Sequence, residues 1–217
     1  MNIDSSTFST RSAKRRRKTF ERVVDAAYSL FSRYGFFETS MAAIAAEADV
    51  AVGTLYNLFE NKEALYTELI EAKAETFHTR IITALSRTDS PRKRLEYALE
   101  EKLSLLREEA DFIRFYLTAN QASRVFADAS LPAKVHEKLE DGIEAVASII
   151  AQGIEEGTFK RRDPYRAAVH FQASSTALFL LHLEDPAHHP AEALLAEAKE
   201  LLVATLVDSV KENGEQT

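Results

Sequence analysis

Phe20, Val23, Val24, Ala27, Leu30, Phe31 and Tyr34 recur at spacings of three and four, and Gly35 follows the last of them. That period puts them on one face of an α-helix, and glycine just past the end readily takes the left-handed backbone that stops one. The same period continues along most of the chain. Gly and Pro number 6 and 5 in 217 residues, too few for a turn-rich β fold. With 46% hydrophobic and 28% charged residues the chain is globular and long enough for a sizeable core. The residues predict an all-α protein of about nine helices.

Residues 1–13 are Ser- and Thr-rich and are expected to form a flexible arm. A helix is predicted from Lys14 to the stop at Gly35, with short helices over 41–48 and 52–59. Longer helices are predicted over 62–86, 91–108, 110–127, 132–156, 163–184 and 190–212. Thr39 and Ser40 can cap the second helix and Asn61 the fourth. Ser90-Pro91 and Asp163-Pro164 each pair a capping residue with proline at the first helical position. The expected division is an arm (1–13), a three-helix domain (14–61) and a larger helical domain (62–217).

Two short helices joined by a tight turn and braced by a longer one make a helix-turn-helix. Ile44, Ala45, Val50, Leu55 and Phe59 supply the inner contacts, and Asp49 is the turn residue that tolerates positive φ. Burying those side chains leaves Val52, Gly53, Thr54, Tyr56 and Asn57 on the outer surface of the third helix. Lys14, Arg15, Arg16, Arg17 and Lys18 lie at the start of the first helix, where positive charge opposes the helix dipole, so contact with a polyanion is expected to favour it. The formal charge of −7 conceals this polarity: residues 1–62 hold nine Lys or Arg against seven Asp or Glu, and the remainder 18 against 27.

With the first helix ending in FSRYGFFETS, IAAEADV at the second helix and turn, and GTLYNLFENKEAL at the third helix and its exit, residues 14–66 resemble the DNA-binding domain of the TetR family of bacterial transcriptional regulators. The resemblance implies that the Tyr56 hydroxyl reaches a phosphate, that Thr54 approaches base edges or phosphate, that Lys62 binds a phosphate, and that Ser40 holds the DNA backbone. Ala42 and Val52 stand where many members carry long polar base readers, and Asp49 replaces the usual glycine. Readout is therefore expected to lean on Thr54, Asn57, thymine methyl contacts and DNA shape, with the basic run adding phosphate or minor-groove contact.

The resemblance also implies an effector cavity in the C-terminal domain. Its candidate walls are Phe77, Phe112, Phe115, Tyr116, Phe126, His170, Phe171 and Phe179, whose character points to a lipophilic or aromatic effector. A helix-turn-helix reading a palindrome requires two copies about 34–36 Å apart. Ala173, Ser174 and Ala177 are small enough for close approach and Leu195, Leu202 and Leu206 lie on a broad apolar face. By analogy the last two helices form a four-helix bundle in a homodimer.

The expected function is a ligand-responsive regulator, a repressor released from palindromic double-stranded operator DNA by a small effector. The alternative is an all-helical carrier or sensor with a vestigial DNA-binding domain, favoured by Ala42 and Val52. Catalysis is not expected. Ser90 and Lys93 match a Ser-x-x-Lys spacing, but helix capping accounts for it. The histidines of HLEDPAHH read as a polar turn broken by proline rather than a metal site, and no cofactor is implied. No cysteine, no apolar leader and no span long enough for a bilayer together point to a soluble cytoplasmic protein.

Overall fold

The computed structural model describes residues 5–113 and 132–207, with side chains from Ala13 onward. All regular elements among the described residues are helical, and the protein is all-α. They are α1 (Ser5–Glu38), α2 (Met41–Glu47), α3 (Val52–Tyr56), α4 (Lys62–Leu85), α5 (Pro91–Glu108), α6 (Ala133–Glu155), α7 (Pro164–Glu184) and α8 (Ala191–Leu206). Residues 110–113 begin the helix expected over 110–127; the rest of it, and the end of that expected over 190–212, lie outside the described residues. No described helix is long and apolar enough to cross a membrane.

Local chemistry sets most boundaries. The Ser40 hydroxyl accepts from the Ala43 N–H at 3.1 Å, Asn61 Oδ1 from Ala64 at 2.7 Å, and Asp163 Oδ1 from Arg166 at 2.8 Å. Such a cap contributes about 1 kcal/mol. Thr39 does not cap α2; its hydroxyl donates instead to the Gly35 carbonyl at 2.8 Å. Gly35 takes φ 83°, bending the end of α1. At the other end, α1 begins at Ser5 rather than at Lys14, so the expected arm is helical from its fifth residue. No glycine or proline interrupts 5–34, and serine and threonine there do not break a helix that already has a packed face.

The described residues form two compact units: those of 1–73 with those of 111–132, and those of 74–110 with those of 133–217. In the first, Val23, Ala27, Phe31, Ile44, Ala45, Leu55 and Leu65 are fully buried. The compact boundary falls within α4, not at its expected start. Leu65, Leu69 and Ile70 belong to the first core, and the Tyr66 ring packs against Phe31 and Phe36 at 6.1 and 5.3 Å. In the second unit α5, α6, α7 and α8 enclose Leu95, Leu99, Val146, Ile150, Ala168, Phe179, Leu202 and Leu206. Arg80 ties α4 to α5 through Glu101 and Glu108, and with Ser104 it holds the Glu108 carboxyl down to about 2.

Gly153 of α6 is required by its neighbour. A Cβ there would stand 2.2 Å from the buried Phe159 ring, which folds back over the helix end closed by Gly157 at φ 70°. Gly153→Ala should cost about 1–3 kcal/mol in urea unfolding. Gly142→Ala, whose Cβ would meet only Gln172 Nε2 at 3.8 Å, should be neutral or stabilising by up to about 1 kcal/mol.

Candidate nucleic-acid interface

α3 has five residues, far fewer than the roughly 12–15 that hold an isolated helix in water, so packing must hold it. Leu55 does so from a fully buried position, with Ile44 and Ala45 of α2 equally inaccessible and Phe59 behind. Val50 N–H donates to the Ala45 carbonyl at 2.9 Å, and Asp49 takes φ 50° to make the turn. A non-glycine residue there costs roughly 1–2 kcal/mol. Arg22 of α1 offsets that cost: its guanidinium donates to Asp49 O at 2.9 Å, to Asp49 Oδ2 at 3.0 Å, and to the Ala48 carbonyl.

With Leu55 turned inward, the opposite side of α3 faces solvent. Val52 is 42% and Tyr56 52% exposed, and Gly53, Thr54 and Asn57 are exposed beside them. No side chain caps α3 at Ala51. Arg15 and Arg16 meet this surface: with Thr19 of α1 and Thr54, Asn57 and Leu58 they line an open cleft of about 400 Å³. Lys14 and Lys18 are exposed on the same stretch, while Arg17 is paired with Glu21 at 2.9 Å. The Phe20 and Phe59 rings, 5.3 Å apart, hold α1 against the exit of α3. Thr19 and Leu58 were not singled out from the sequence. The signal for Thr19 was helical spacing, since it lies three and four residues beyond Arg16 and Arg15.

Lys62 lies at the end of α1. Its ammonium donates to the carbonyls of Phe36 at 2.7 Å and Thr39 at 2.9 Å and lies 4.3 Å from the Phe36 ring centroid. It closes the C-terminal end of α1, where carbonyls lack helical partners and the dipole favours a cation. Ser40 is exposed at the start of α2, its hydroxyl already serving as the cap.

In the second unit, His170 and Phe171 come together on a cleft of about 100 Å³ with Leu99, Ser175 and Leu178. Phe179 is core, at 2% exposure, and Phe77 is half-buried. Phe112 belongs to the first unit, its ring 5.9 Å from Tyr28. Phe115, Tyr116 and Phe126 lie outside the described residues. The expected dimer residues divide. Ala173, Ser174 and Ala177 are exposed on α7 and Leu195 is half-buried, but Leu202 and Leu206 are buried within their own unit. Ala191, Leu194, Ala198, Leu202 and Leu206 form one stripe at helical spacing, and that stripe is the packed one.

One residue of this unit carries no signal among the motifs above. Lys102 lies on α5 in the stripe of Leu95, Leu99 and Leu106, and its ammonium donates to Ser175 Oγ at 2.9 Å and Thr176 Oγ1 at 2.8 Å. Removal from water pushes its pKa down to about 7.

Residues 23–69 match the family described as bacterial regulatory proteins, tetR family. The chain is 30% identical over 147 residues to the transcriptional repressor KstR of Mycolicibacterium smegmatis, covering 67% of this chain and 69% of that protein. It is 24% identical over 147 residues to the fatty acid metabolism regulator protein of Bacillus subtilis, covering 68% and 74%. The fold resembles that of the transcriptional regulator FadR from Bacillus subtilis in complex with stearoyl-CoA, with a TM-score of 0.68, 22% identity, and coverage of 85% of this chain and 98% of that one.

Two outcomes follow from this geometry. Lys62→Met should lower unfolding stability by about 1–3 kcal/mol by stranding carbonyls. It should weaken DNA binding without changing the slope of log affinity against log salt, whereas removal of a phosphate-binding cation would reduce that slope by about 0.9. Lys102 is harder to protonate folded than unfolded, where its pKa is about 10.4. The unfolded chain therefore binds more protons between pH 7 and 10, and this group makes stability rise with pH across that window. The melting temperature of Lys102→Met minus that of the unaltered protein should therefore fall between about pH 6.5 and 9.5.

Proposed function

Because the chain belongs to the tetR family of bacterial regulatory proteins and is a ligand-responsive, DNA-binding transcriptional regulator, we propose that it is a repressor acting as a homodimer on a palindromic operator in the cytoplasm. The observation that carries this reading is the cleft shared by Arg15 and Arg16 with Thr54 and Asn57, beside the exposed face of α3. It sets phosphate-directed cations next to groups able to contact base edges, the two kinds of contact that position and specify. Tyr56 takes a phosphate, and Val52 contributes apolar contact with thymine methyls.

Repression is favoured by the similarity to KstR, a protein named as a transcriptional repressor. A lipophilic effector is favoured by the aromatic stock of the second unit and by the resemblance to FadR, which is seen with stearoyl-CoA. The relatives are regulators, and no catalytic role is assigned to this chain. For the dimer, the interface we assign is the exposed ridge of α7 at Val169, Ala173, Ala177 and Leu181, joined by Leu201 of α8. The four α7 residues lie on one line at i, i+4 spacing, and two alanines at its centre permit close approach of a second copy. Effector binding releases the operator by favouring a conformer in which two recognition helices no longer match successive grooves, which requires tighter effector binding to that conformer.

Selection of bound duplexes from a random pool should enrich an inverted repeat with half-sites one helical turn apart, about 34–36 Å. On that duplex the log–log salt slope should be steep, and Arg15→Ala or Arg16→Ala should flatten it by about 0.9 for each phosphate left without its cation. Enrichment of no repeat, with salt-insensitive binding, would favour a carrier or sensor over a repressor.

A further inference from the structure

Lys102 is a half-buried cation on the leucine stripe of α5. Arg80, Arg107, Lys138 and Lys199 of the same unit each meet a carboxylate. Among the described residues no carboxylate pairs with Lys102. Its three N–H groups instead face four neutral oxygens: Ser175 Oγ at 2.9 Å, Thr176 Oγ1 at 2.8 Å, and the backbone and side-chain oxygens of Gln172 at 3.3 and 3.2 Å. These dipoles satisfy the donors but leave the net charge uncompensated, an arrangement that costs stability where leucine would simply pack.

The surroundings suit an incoming oxyanion. The hydroxyls of Ser175 and Thr176 now donate to the carbonyls of Phe171 and Gln172 at 2.8 and 2.7 Å, and each can rotate to donate to a ligand. Beyond the Gln172 amide stands Gly142 of α6, where a Cβ would lie 3.8 Å from Nε2, in ordinary van der Waals contact. Ser175, which is 3% exposed, is the member of this group that also lines the cleft of about 100 Å³, shared with Leu99, Phe171, Leu178, His170 and Arg162. That volume holds about three water molecules, or a head group of a few atoms.

We propose that Lys102, with Gln172, Ser175 and Thr176, receives the carboxylate of an amphipathic acid. This rests on the reading of the second unit as the effector domain and names the chemistry of its ligand. The Lys102 ammonium, ringed by neutral donors, matches the single charge of a carboxylate. The cleft walls Leu99, Phe171 and Leu178 beside Ser175 call for a hydrocarbon or aromatic body attached to that carboxylate.

The test is calorimetric titration of the full chain, without DNA, at a pH near 6.5. The probes are decanoate and naphthoate, each against its uncharged counterpart, decanol and naphthylmethanol. At least one acid should bind about tenfold or more tightly than its alcohol, as a hydrogen-bonded charge pair warrants. Lys102→Met should erase that preference and Lys102→Arg should retain part of it. Thr176→Val, at an exposed position whose loss does not threaten the fold, should reduce the preference several-fold and gives the answer if the methionine variant does not fold. The proposal is overturned if neither acid binds, if acids bind no tighter than alcohols, or if the preference survives in a folded Lys102→Met or in Thr176→Val. Failure to enrich an operator would sink the repressor reading and leave this titration readable; failure here would leave the DNA reading standing.

Discussion

A five-residue helix cannot stand by itself, and this constraint organises the first unit. α3 exists because Leu55 is buried against α2 and because Phe59, just past its end, is clamped by Phe20. Everything that must be buried to hold it lies on one side, so the other side is left for recognition. The same economy explains Asp49. Its positive φ is tolerable because Arg22 reaches across from α1 to hold its backbone and its carboxylate together. α1 therefore does more than fill space: one face packs the core, one arginine secures the turn, and its N-terminal cations border the reading surface.

Charge is distributed in the same division of labour. Cations that stabilise the fold are consumed by partners, as Arg22 is by the turn, Lys62 by the end of α1, and Arg80 by Glu101 and Glu108. Among the described residues no carboxylate pairs with Arg15 or Arg16, and both line the cleft beside α3. Lys102 is the counterpart inside the second unit, held by neutral dipoles and suited to a single negative charge.

Much of this was legible in the residues because it is local. Helical period, Gly35, the Asn61 cap and the Ser90-Pro91 and Asp163-Pro164 starts depend on neighbours within one turn, and the inner contacts of α2 and α3 follow from a short, stereotyped geometry. The remainder depends on contacts distant in sequence. The place of Lys62 shows only once the carbonyls it meets, 23 and 26 residues earlier, are located. Leu202 and Leu206 belong to an apolar face broad enough to serve a core or a partner, and packing assigns them to the core. Lys102 belongs to no motif, and the hydroxyls that receive it are more than 70 residues away.

The most direct measurement is tyrosine-selective chemical labelling of the full chain with and without its selected duplex. Tyr56 and Tyr165 are similarly exposed, at 52% and 45%, one on the outer face of α3 and one in the second unit. If α3 is the reading head, DNA should suppress labelling of Tyr56 and leave Tyr165 unchanged. Labelling of Tyr56 at the same rate in free and DNA-bound protein would contradict it.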